Sequence, residues 1–330
     1  MMRQLSSKSQ DNNFYPGQII TGKWNGKKYT IIRVLGEGAI GKVYLARQGR
    51  QLMALKVAHN AMSVSSEVHV LRQMAKVQGL MLGPSFLDMD DVLTPQGTIT
   101  FYAMEYIHGE PFLPFVRTKG IEWLGIFVVQ LLGDLQRMHE KGWIFGDIKP
   151  ENLLITSNPY QLRWIDPGGV TKKGRSIKEY TEFFDRGYWG AGDRKADPAY
   201  DLFSVSMLIV NRSYPSRFYK EGIKGIRVIM DKTSKQPSLI PYAPIIEKGI
   251  TQRYKYALEM KKDVMDVLRA QQANVPPSRK KKRLSFLMKW KYVSATKTSP
   301  SRNHKERSGF KETAIFASFL LILYILYLTG

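Results

Sequence analysis

Cysteine is absent from the 330 residues, which excludes disulfide scaffolds, thiolate metal sites and cysteine nucleophiles. Histidine is scarce, at five residues, and leaves little material for a histidine metal cluster. Acid is in short supply too. Asp and Glu number 28 against 50 Lys and Arg, a formal charge of +22, so an acidic partner is expected, either nucleic acid or anionic lipid. The first 28 residues contain no apolar run long enough for the core of a secretory signal. Apolar residues overall are not lacking: at 43% they suffice to bury a core and exclude wholesale disorder. The length suits one large catalytic domain or two small ones, and no internal repeat divides it.

The long uncharged run lies near the other end. From Thr313 to Leu328 there is no charge and almost every residue is apolar. A membrane-spanning helix needs about 20 such residues, with roughly 17 as the lower bound. Residues 312–330 are therefore expected to form a transmembrane anchor. A buried core helix is the alternative, but this stretch is apolar on every face. Lys305, Arg307 and Lys311 precede the run and nothing charged follows it. That asymmetry places everything upstream on the cytoplasmic side of the cell membrane, in a single-pass arrangement.

Between the anchor and the body of the chain the composition shifts. Pro276-Pro277 breaks any helix entering from the body. Twelve Lys and Arg then fall between 279 and 311, opposed only by Glu306. The expected division is a polar N-terminal extension over 1–28, a folded unit over 29–272, a basic juxtamembrane tether over 273–311 and the anchor over 312–330. Three readings of the tether compete. It is a solvated linker and topology signal, or it touches anionic lipid, or it binds DNA or another polyanion. Each Lys or Arg near an acidic leaflet contributes on the order of 1 kcal/mol, and Trp290 and Tyr292 suit an interface. Lys289-Trp290-Lys291-Tyr292 also interleaves basic and aromatic groups, as phosphate-tracking segments do. The residues expected to hold a polyanion are Arg279, Lys280, Lys281, Lys282, Arg283, Lys289, Trp290 and Lys291. Such binding would be non-specific in sequence, since no segment reads as a groove-entering helix.

Within the folded unit, Tyr29 to Gly36, Lys42 to Arg47 and Leu52 to Val57 read as three strands. The first two flank Gly36-Glu37-Gly38-Ala39-Ile40-Gly41. A dinucleotide-binding fingerprint would lead into a helix, whereas this loop leads into Val43-Tyr44-Leu45-Ala46, a strand-forming run. A glycine hairpin of this kind lets backbone N–H groups approach the phosphates of a nucleotide. Lys56 lies in the otherwise apolar Met53-Ala54-Leu55-Lys56-Val57. It is either a snorkelling surface lysine or a point charge for phosphate oxygens held by a carboxylate. Glu67, at the start of a helical pattern, is the expected partner.

An apolar helix over 121–141 ends at Gly142 and is followed by Asp147-Ile148-Lys149-Pro150-Glu151-Asn152. A carboxylate, a lysine two on and an asparagine five on are thus fixed in a proline-stiffened loop. Asp147 is suited to accept a hydroxyl proton, Lys149 to neutralise charge on a transferred phosphoryl group, and Asn152 to ligate Mg²⁺. A short strand from Gln161 to Ile165 presents Asp166 before Pro167-Gly168. Alone, Asp166 reads as a turn residue. In this series it suits a second Mg²⁺ ligand, because Mg²⁺ prefers hard oxygen donors and phosphates.

In these motifs, over roughly 29–272, the chain resembles the Hanks-type (eukaryotic-like) serine/threonine protein kinases. The likeness implies an α+β, bilobal protein-kinase fold, with a small β-rich N-lobe and a larger helical C-lobe, to which the transmembrane helix is added. It implies ATP and Mg²⁺ as cofactors and proteins bearing Ser or Thr as substrates. Lys56 would pair with the α/β-phosphates and Glu67, Asp147 would be the catalytic base, and Asn152 and Asp166 would hold the metal. Gly36, Gly38 and Gly41 would cover the phosphates. Met104 would be the gatekeeper, the backbone of Glu105 and Ile107 would meet adenine, and Val43, Ala54 and Leu154 would sandwich the ring. Lys149 argues for Ser/Thr rather than Tyr substrates. Asp201 would brace the catalytic loop. The layout of kinase, basic tether and C-terminal anchor is similar to the tail-anchored YabT-type bacterial kinases, which favours DNA slightly as the tether's partner.

The sequence departs from the family at several points. The family's His-Arg before the catalytic Asp is Phe145-Gly146, so a phosphorylated activation loop lacks its usual arginine. Asp-Phe-Gly is Asp166-Pro167-Gly168, and Ala-Pro-Glu appears only as Ala191-Gly192-Asp193. Asp193 is expected to pair with Arg253. Arg186 stands where a threonine is usual. The five residues Lys56, Glu67, Asp147, Asn152 and Asp166 favour an active enzyme, while the departures make a pseudokinase scaffold its rival. Polyanion binding to the tether would concentrate molecules and promote dimerisation and trans-autophosphorylation. The hydroxyls expected to be modified are Ser294, Thr296, Thr298, Ser299 and Ser301 in the tether, or Thr171, Ser176, Tyr180 and Thr181 in the activation segment.

Overall fold

The computed structural model of the chain describes residues 13–38, 41–58, 61–77, 83–95, 97–220, 222 and 225–273. Its first half is built on one antiparallel sheet. The strands are β1 (Ile19–Thr21), β2 (Lys28–Gly38), β3 (Gly41–Gln48), β4 (Gln51–Ala58), β5 (Phe86–Thr94) and β6 (Gly97–Glu105), in the order β1-β2-β3-β4-β6-β5. The strands meet the three sequence expectations with a residue or two added at each end. β2 alternates buried Tyr29 and Ile31 with more exposed neighbours, the pattern of a sheet with one wet face. The central strand β4 is different. From Met53 to Ala58 every residue is buried, because both faces of the sheet are covered there. One face packs Phe14, Ile20, Tyr29, Tyr44, Leu55 and Phe101 into a small core. The other meets α1 (Ala61–Met74), which inserts Val64, Val68 and Leu71.

The segment expected to be a polar extension contributes to this sheet. Ile19, Ile20 and Thr21 pair with Thr30, Tyr29 and Lys28, and Phe14 and Ile20 are buried. A preformed sheet edge needs only a few apolar side chains to recruit a strand, so the low hydrophobicity of this stretch hid its role.

The second half is mainly helical. After β7 (Glu110–Pro111) come α2 (Phe112–Lys119) and α3 (Ile121–Glu140). α3 buries Leu124, Phe127, Val128, Leu131, Leu132, Leu135 and Met138, spacings of three and four that define one helix face. Gly142, at φ +73°, follows its end, as a helix stop requires. Short strands β8 (Trp143–Ile144), β9 (Leu153–Thr156), β10 (Gln161–Trp164) and β11 (Thr171–Lys172) frame the catalytic loop. Then follow α4 (Pro198–Ser213), α5 (Gly225–Ser234), α6 (Ala243–Ile250) and α7 (Ala257–Ala273). α4 starts where Asp197 caps Tyr200 N and Pro198 occupies the first turn. It is buried from Tyr200 through Asn211, and so forms the axis of this half. Among the described residues no helix is long and apolar enough to cross a membrane, and the run over 312–330 lies outside them.

Candidate active site

The site lies between the sheet and the helical half. Lys56 reaches it from β4 and Glu67 from α1, and both are buried. Lys56 Nζ is 2.7 Å from Glu67 Oε2 and 3.2 Å from Asp166 Oδ1. Burial opposes the ammonium, but the charges of Asp166 and Glu67 outweigh it and leave the Lys56 pKa raised. The Tyr102 hydroxyl donates to Glu67 Oε2 at 2.6 Å, fixing the carboxylate from the neighbouring strand. Burial, then the Glu67 charge, push that phenol well above its ordinary range. Tyr102 is a site residue that sequence reasoning missed, because it reads as one more aromatic in a strand.

The catalytic loop supplies a second cluster. Asn152 Nδ2 donates to Asp147 O at 3.0 Å and to Asp147 Oδ2 at 2.8 Å. Lys149 Nζ is 2.6 Å from the same Oδ2. One carboxylate oxygen is therefore held, while Asp147 Oδ1 accepts no hydrogen bond among the described residues. The loop hangs from Asp201 of α4, whose carboxylate accepts Phe145 N and Gly146 N, each at 2.9 Å. His139 Nε2 lies 2.8 Å from Asp201 Oδ2 and ties α3 to the same point. Phe145 is fully buried and packs edge-on to Trp164, with centroids 5.5 Å apart.

Gly146 stands where the family has arginine, at a backbone position that strains a side chain. Its φ is +80°, and a Cβ there would stand 2.6 Å from Gly169 O. A side chain at 146 would meet both the strain of the left-handed backbone and an overlap that the loop must shift to relieve.

Between the two clusters opens a cavity of about 580 Å³. Gly36, Gly38, Gly41, Val43, Ala54, Met104, Glu105, Ile107 and Leu154 all line it, together with Lys56, Asn152 and Asp166. The three glycines differ in role. A Cβ on Gly36 or Gly38 would meet nothing within 4 Å, whereas one on Gly41 would stand 2.1 Å from Val57 O. Gly41 thus seats the hairpin on β4, while Gly36 and Gly38 line the cavity with open space about them. At the back edge, Glu105 turns its side chain away to Arg163 at 2.9 Å. The N–H and C=O of Ile107 form no hydrogen bond among the described residues, which suits them to a heterocycle's edge. The donor set also fits Mg²⁺. Asn152 spends its Nδ2 on Asp147 and Asp166 spends its Oδ1 on Lys56 and Gly168 N. The outer oxygen of each, Asn152 Oδ1 and Asp166 Oδ2, accepts no hydrogen bond among the described residues.

A further carboxylate enters the cavity from the activation segment. Glu179 lines it, and burial followed by the charges of Asp166 and Asp147 raise its pKa. The neighbouring Lys178 Nζ donates to Ser66 Oγ of α1 at 3.2 Å and to Val170 O at 3.1 Å, docking the segment on the helix that carries Glu67.

The expected Asp193–Arg253 pair does not form. Arg253 turns to Glu247 on α6, and Asp193 takes Arg186 Nη2 at 2.9 Å. Arg186 is 1% exposed and also binds both oxygens of Asp197 at 2.8 Å. It lies seven residues from Asp193 on the same loop and engages it first, while Gln252 Nε2 donates to Ala191 O. Beside this brace, buried Asp185 accepts Arg194 Nε at 2.8 Å and the Tyr200 hydroxyl at 3.1 Å. Among the hydroxyls expected to be modified, Thr171 is 3% exposed, which removes it from that set. Arg279, Lys280, Lys281, Lys282, Arg283, Lys289, Trp290 and Lys291 lie outside the described residues, as do the tether hydroxyls.

Residues 29–282 match the protein kinase domain family. The chain belongs to that family. It is 40% identical over 322 residues to the serine/threonine-protein kinase YabT of Bacillus subtilis, covering 95% of this chain and 94% of that protein. It is also 25% identical to a probable casein kinase II subunit alpha homolog of Encephalitozoon cuniculi, over 70% of each chain. With the serine/threonine-protein kinase Aurora-2 of Arabidopsis thaliana it shares 33% identity, over 40% of this chain and 49% of that one. Fold, family and relatives together define a protein serine/threonine kinase of the bacterial Hanks type, similar to YabT.

Proposed function

We propose that this kinase is anchored in the cell membrane with its catalytic domain in the cytoplasm, and that its basic tether holds a polyanion, DNA foremost. In the site, Asp147 takes the proton of the substrate hydroxyl through its free Oδ1. Lys149 steadies the other oxygen and the transferred phosphoryl group. Lys56, held by Glu67, meets the α/β-phosphates of ATP beneath Gly36 and Gly38. Asn152 and Asp166 hold Mg²⁺, which when bound neutralises charge on the phosphates. Phosphoryl transfer needs positioning and charge stabilisation more than covalent chemistry, and these residues supply both.

One observation carries the catalytic reading: Lys56 meets Glu67 and Asp166 at once, at 2.7 and 3.2 Å. The two halves are thus closed on a single nucleotide-sized cavity. The test is label transfer from ATP to a protein substrate. Asp147→Asn should abolish transfer and preserve nucleotide binding. Equal transfer by wild type and variant would remove Asp147 from its role. Nucleotide binding with no transfer by the wild type would restore the scaffold reading.

The anchor rests on the uncharged run Thr313 to Leu328 and the cations before it. The polyanion reading rests on twelve Lys and Arg over 279–311 with the interleaved Trp290 and Tyr292, and on the YabT likeness. Polyanion binding would gather copies and promote trans-phosphorylation. Activity measured with and without DNA, before and after neutralisation of Arg279 to Arg283, tests this. Undiminished stimulation in the neutralised chain would exclude that run as the effector site.

A further inference from the structure

The two outer strands of the sheet, β1 and β5, are clipped together at one end. Lys23 N donates to Asp91 O at 2.8 Å, and Asp90 accepts Trp24 N and Asn25 N at 3.1 and 2.9 Å. Beyond this clip, among the described residues, β1 pairs only with β2 and β5 only with β6. A groove of about 520 Å³ lies beside both strands, lined by Ile19, Ile20, Val92 and Leu93 among others. Ile20 and Val92 are buried in the small core with Ile99, so alternation turns Ile19 and Leu93 outward. Four large apolar side chains stand in water here: Trp24 is 73% exposed, Tyr15 66%, Leu93 65% and Ile19 58%. Scattered singly such residues need no explanation, but gathered on one face they mark an interaction site.

The turn presents Trp24 rigidly. Its Nε1 donates to Asp91 Oδ2 at 3.0 Å, which satisfies the polar end of the indole and leaves an apolar ring exposed. Lys23 Nζ lies 4.5 Å from the centroid of that ring. Lys23 and the nearby Lys28 are exposed and form no ion pair among the described residues. The acids of this edge are already engaged. Asp88 takes Lys27 Nζ and the Tyr29 hydroxyl, each at 2.7 Å, and Asp91 takes Thr100 Oγ1 at 2.8 Å besides Trp24. Asp90 is buried under the turn. The free charge at the rim of the apolar patch is therefore positive.

We infer that this edge of the sheet is a docking face for an anionic lipid surface. Trp24, Tyr15, Ile19 and Leu93 enter the interfacial layer, and Lys23 and Lys28 meet the headgroups. Indole and phenol rings favour that layer, and apolar burial together with attraction to acidic lipid sets the strength of such binding. A second copy of the chain is the competing occupant, and charge disfavours it. In a two-fold pair the same patch meets itself, so Lys23 and Lys28 would face like charges, which opposes association. An acidic leaflet attracts them instead. The inference goes beyond the C-terminal anchor proposed above, since it assigns a face of the catalytic domain itself. Held there, the domain meets membrane-bound substrates at a raised effective concentration.

The absence of cysteine makes the test direct. In the purified full-length chain, Leu93→Cys carries the polarity-sensitive fluorophore NBD. Ile19→Cys is a second labelled position, and Leu258→Cys, exposed on α7, is the control. The chain is mixed with vesicles of phosphatidylglycerol and phosphatidylcholine in equal parts. Labels at 93 and 19 should shift to the blue and be quenched by a nitroxide on the lipid acyl chain, and the label at 258 should do neither. With Lys23→Gln and Lys28→Gln together, the ratio of quenched to unquenched label should fall roughly 30-fold, the effect of two lysines at an acidic surface. Unshifted labels on a chain that sediments with the vesicles would overturn the inference and leave the anchor standing. Shifted labels on a chain that an alkaline wash strips from the vesicles would support the docking face and remove the anchor. A chain that does not sediment at all would overturn both. A blue shift without lipid that grows with protein concentration would give the face to a second copy, and equal quenching at 258 would show that no face is chosen; either result overturns the inference.

Discussion

At the scale of single residues, the site depends on hydrogen bonds that hold charges in place. Glu67 is 4% exposed, and its Oε2 receives both Lys56 and Tyr102. Tyr102→Phe deletes only the donated O–H. A hydrogen bond to a charged group is worth about 1.5–3 kcal/mol, so urea unfolding should show a loss in that range. The KM for ATP should rise, because Lys56 would then follow a less constrained carboxylate; an unchanged KM would mean that Lys56 alone fixes Glu67. Gly146→Arg argues the converse, since restoring a family residue should do harm. The left-handed backbone alone costs about 1–2 kcal/mol with a side chain, and a Cβ 2.6 Å from Gly169 O adds a clash. The expected outcome is a lower melting temperature and lower kinase activity. Stability equal to wild type would show that the loop shifts freely.

At the scale of elements, two turns are tied down by buried carboxylates. Asp90 on β5 accepts Trp24 N, Asn25 N and Asp91 N, at 3.1, 2.9 and 2.7 Å, and so clips the turn between β1 and β2 to the far edge of the sheet. Burial opposes its charge, but the N–H groups of Asn25, Asp91 and Trp24 prevail and hold its pKa below the ordinary carboxylate value. A depressed acid stabilises the fold above its unfolded pKa of about 3.9 and loses that contribution as pH falls through the lower folded value. Asp90→Ala should therefore cost about 1–3 kcal/mol at neutral pH. The gap to wild type should narrow below about pH 4. A constant gap from pH 7 to pH 3 would show that the carboxylate charge is not what matters. The second such turn, around Asp185 and Arg186, shows what the sequence could and could not convey. Strands, helix α3, the glycine hairpin and the spacing of Asp147, Lys149, Asn152 and Asp166 are local patterns, and each is legible from its own neighbours. Arg186 against Asp193 and Asp197, His139 against Asp201, and Tyr102 against Glu67 are meetings of distant or unpatterned residues. Their side chains carry no periodicity that announces a partner. The first strand is hidden for a related reason: its apolar residues are few, and the sheet edge that receives them belongs to another segment.

At the scale of the whole molecule, charge is concentrated rather than spread. Twelve of the 50 Lys and Arg fall between 279 and 311, opposed by Glu306 alone. Many Lys and Arg of the catalytic domain are instead engaged, as Arg186, Arg194 and Arg163 are by buried or half-buried carboxylates. If the basic run is what a polyanion meets, affinity is governed by counterion release, and log Kd changes linearly with log salt. With about six phosphates neutralised, log affinity against log salt should slope at roughly −5. Replacing Arg279 to Arg283 with neutral residues removes five cations. Each phosphate that is no longer neutralised reduces the slope by about one, so roughly −1 should remain. Two duplexes of unrelated sequence should give the same slope, because only backbone phosphates are met. An unchanged slope in the neutralised chain would move the binding surface elsewhere, to the exposed cations of the activation segment. An affinity that differs strongly between the two duplexes at one salt concentration would mean that bases are read. Vesicles of anionic lipid in place of DNA separate the remaining alternative: competition between the two would show one cationic surface serving both, and independent binding would show two.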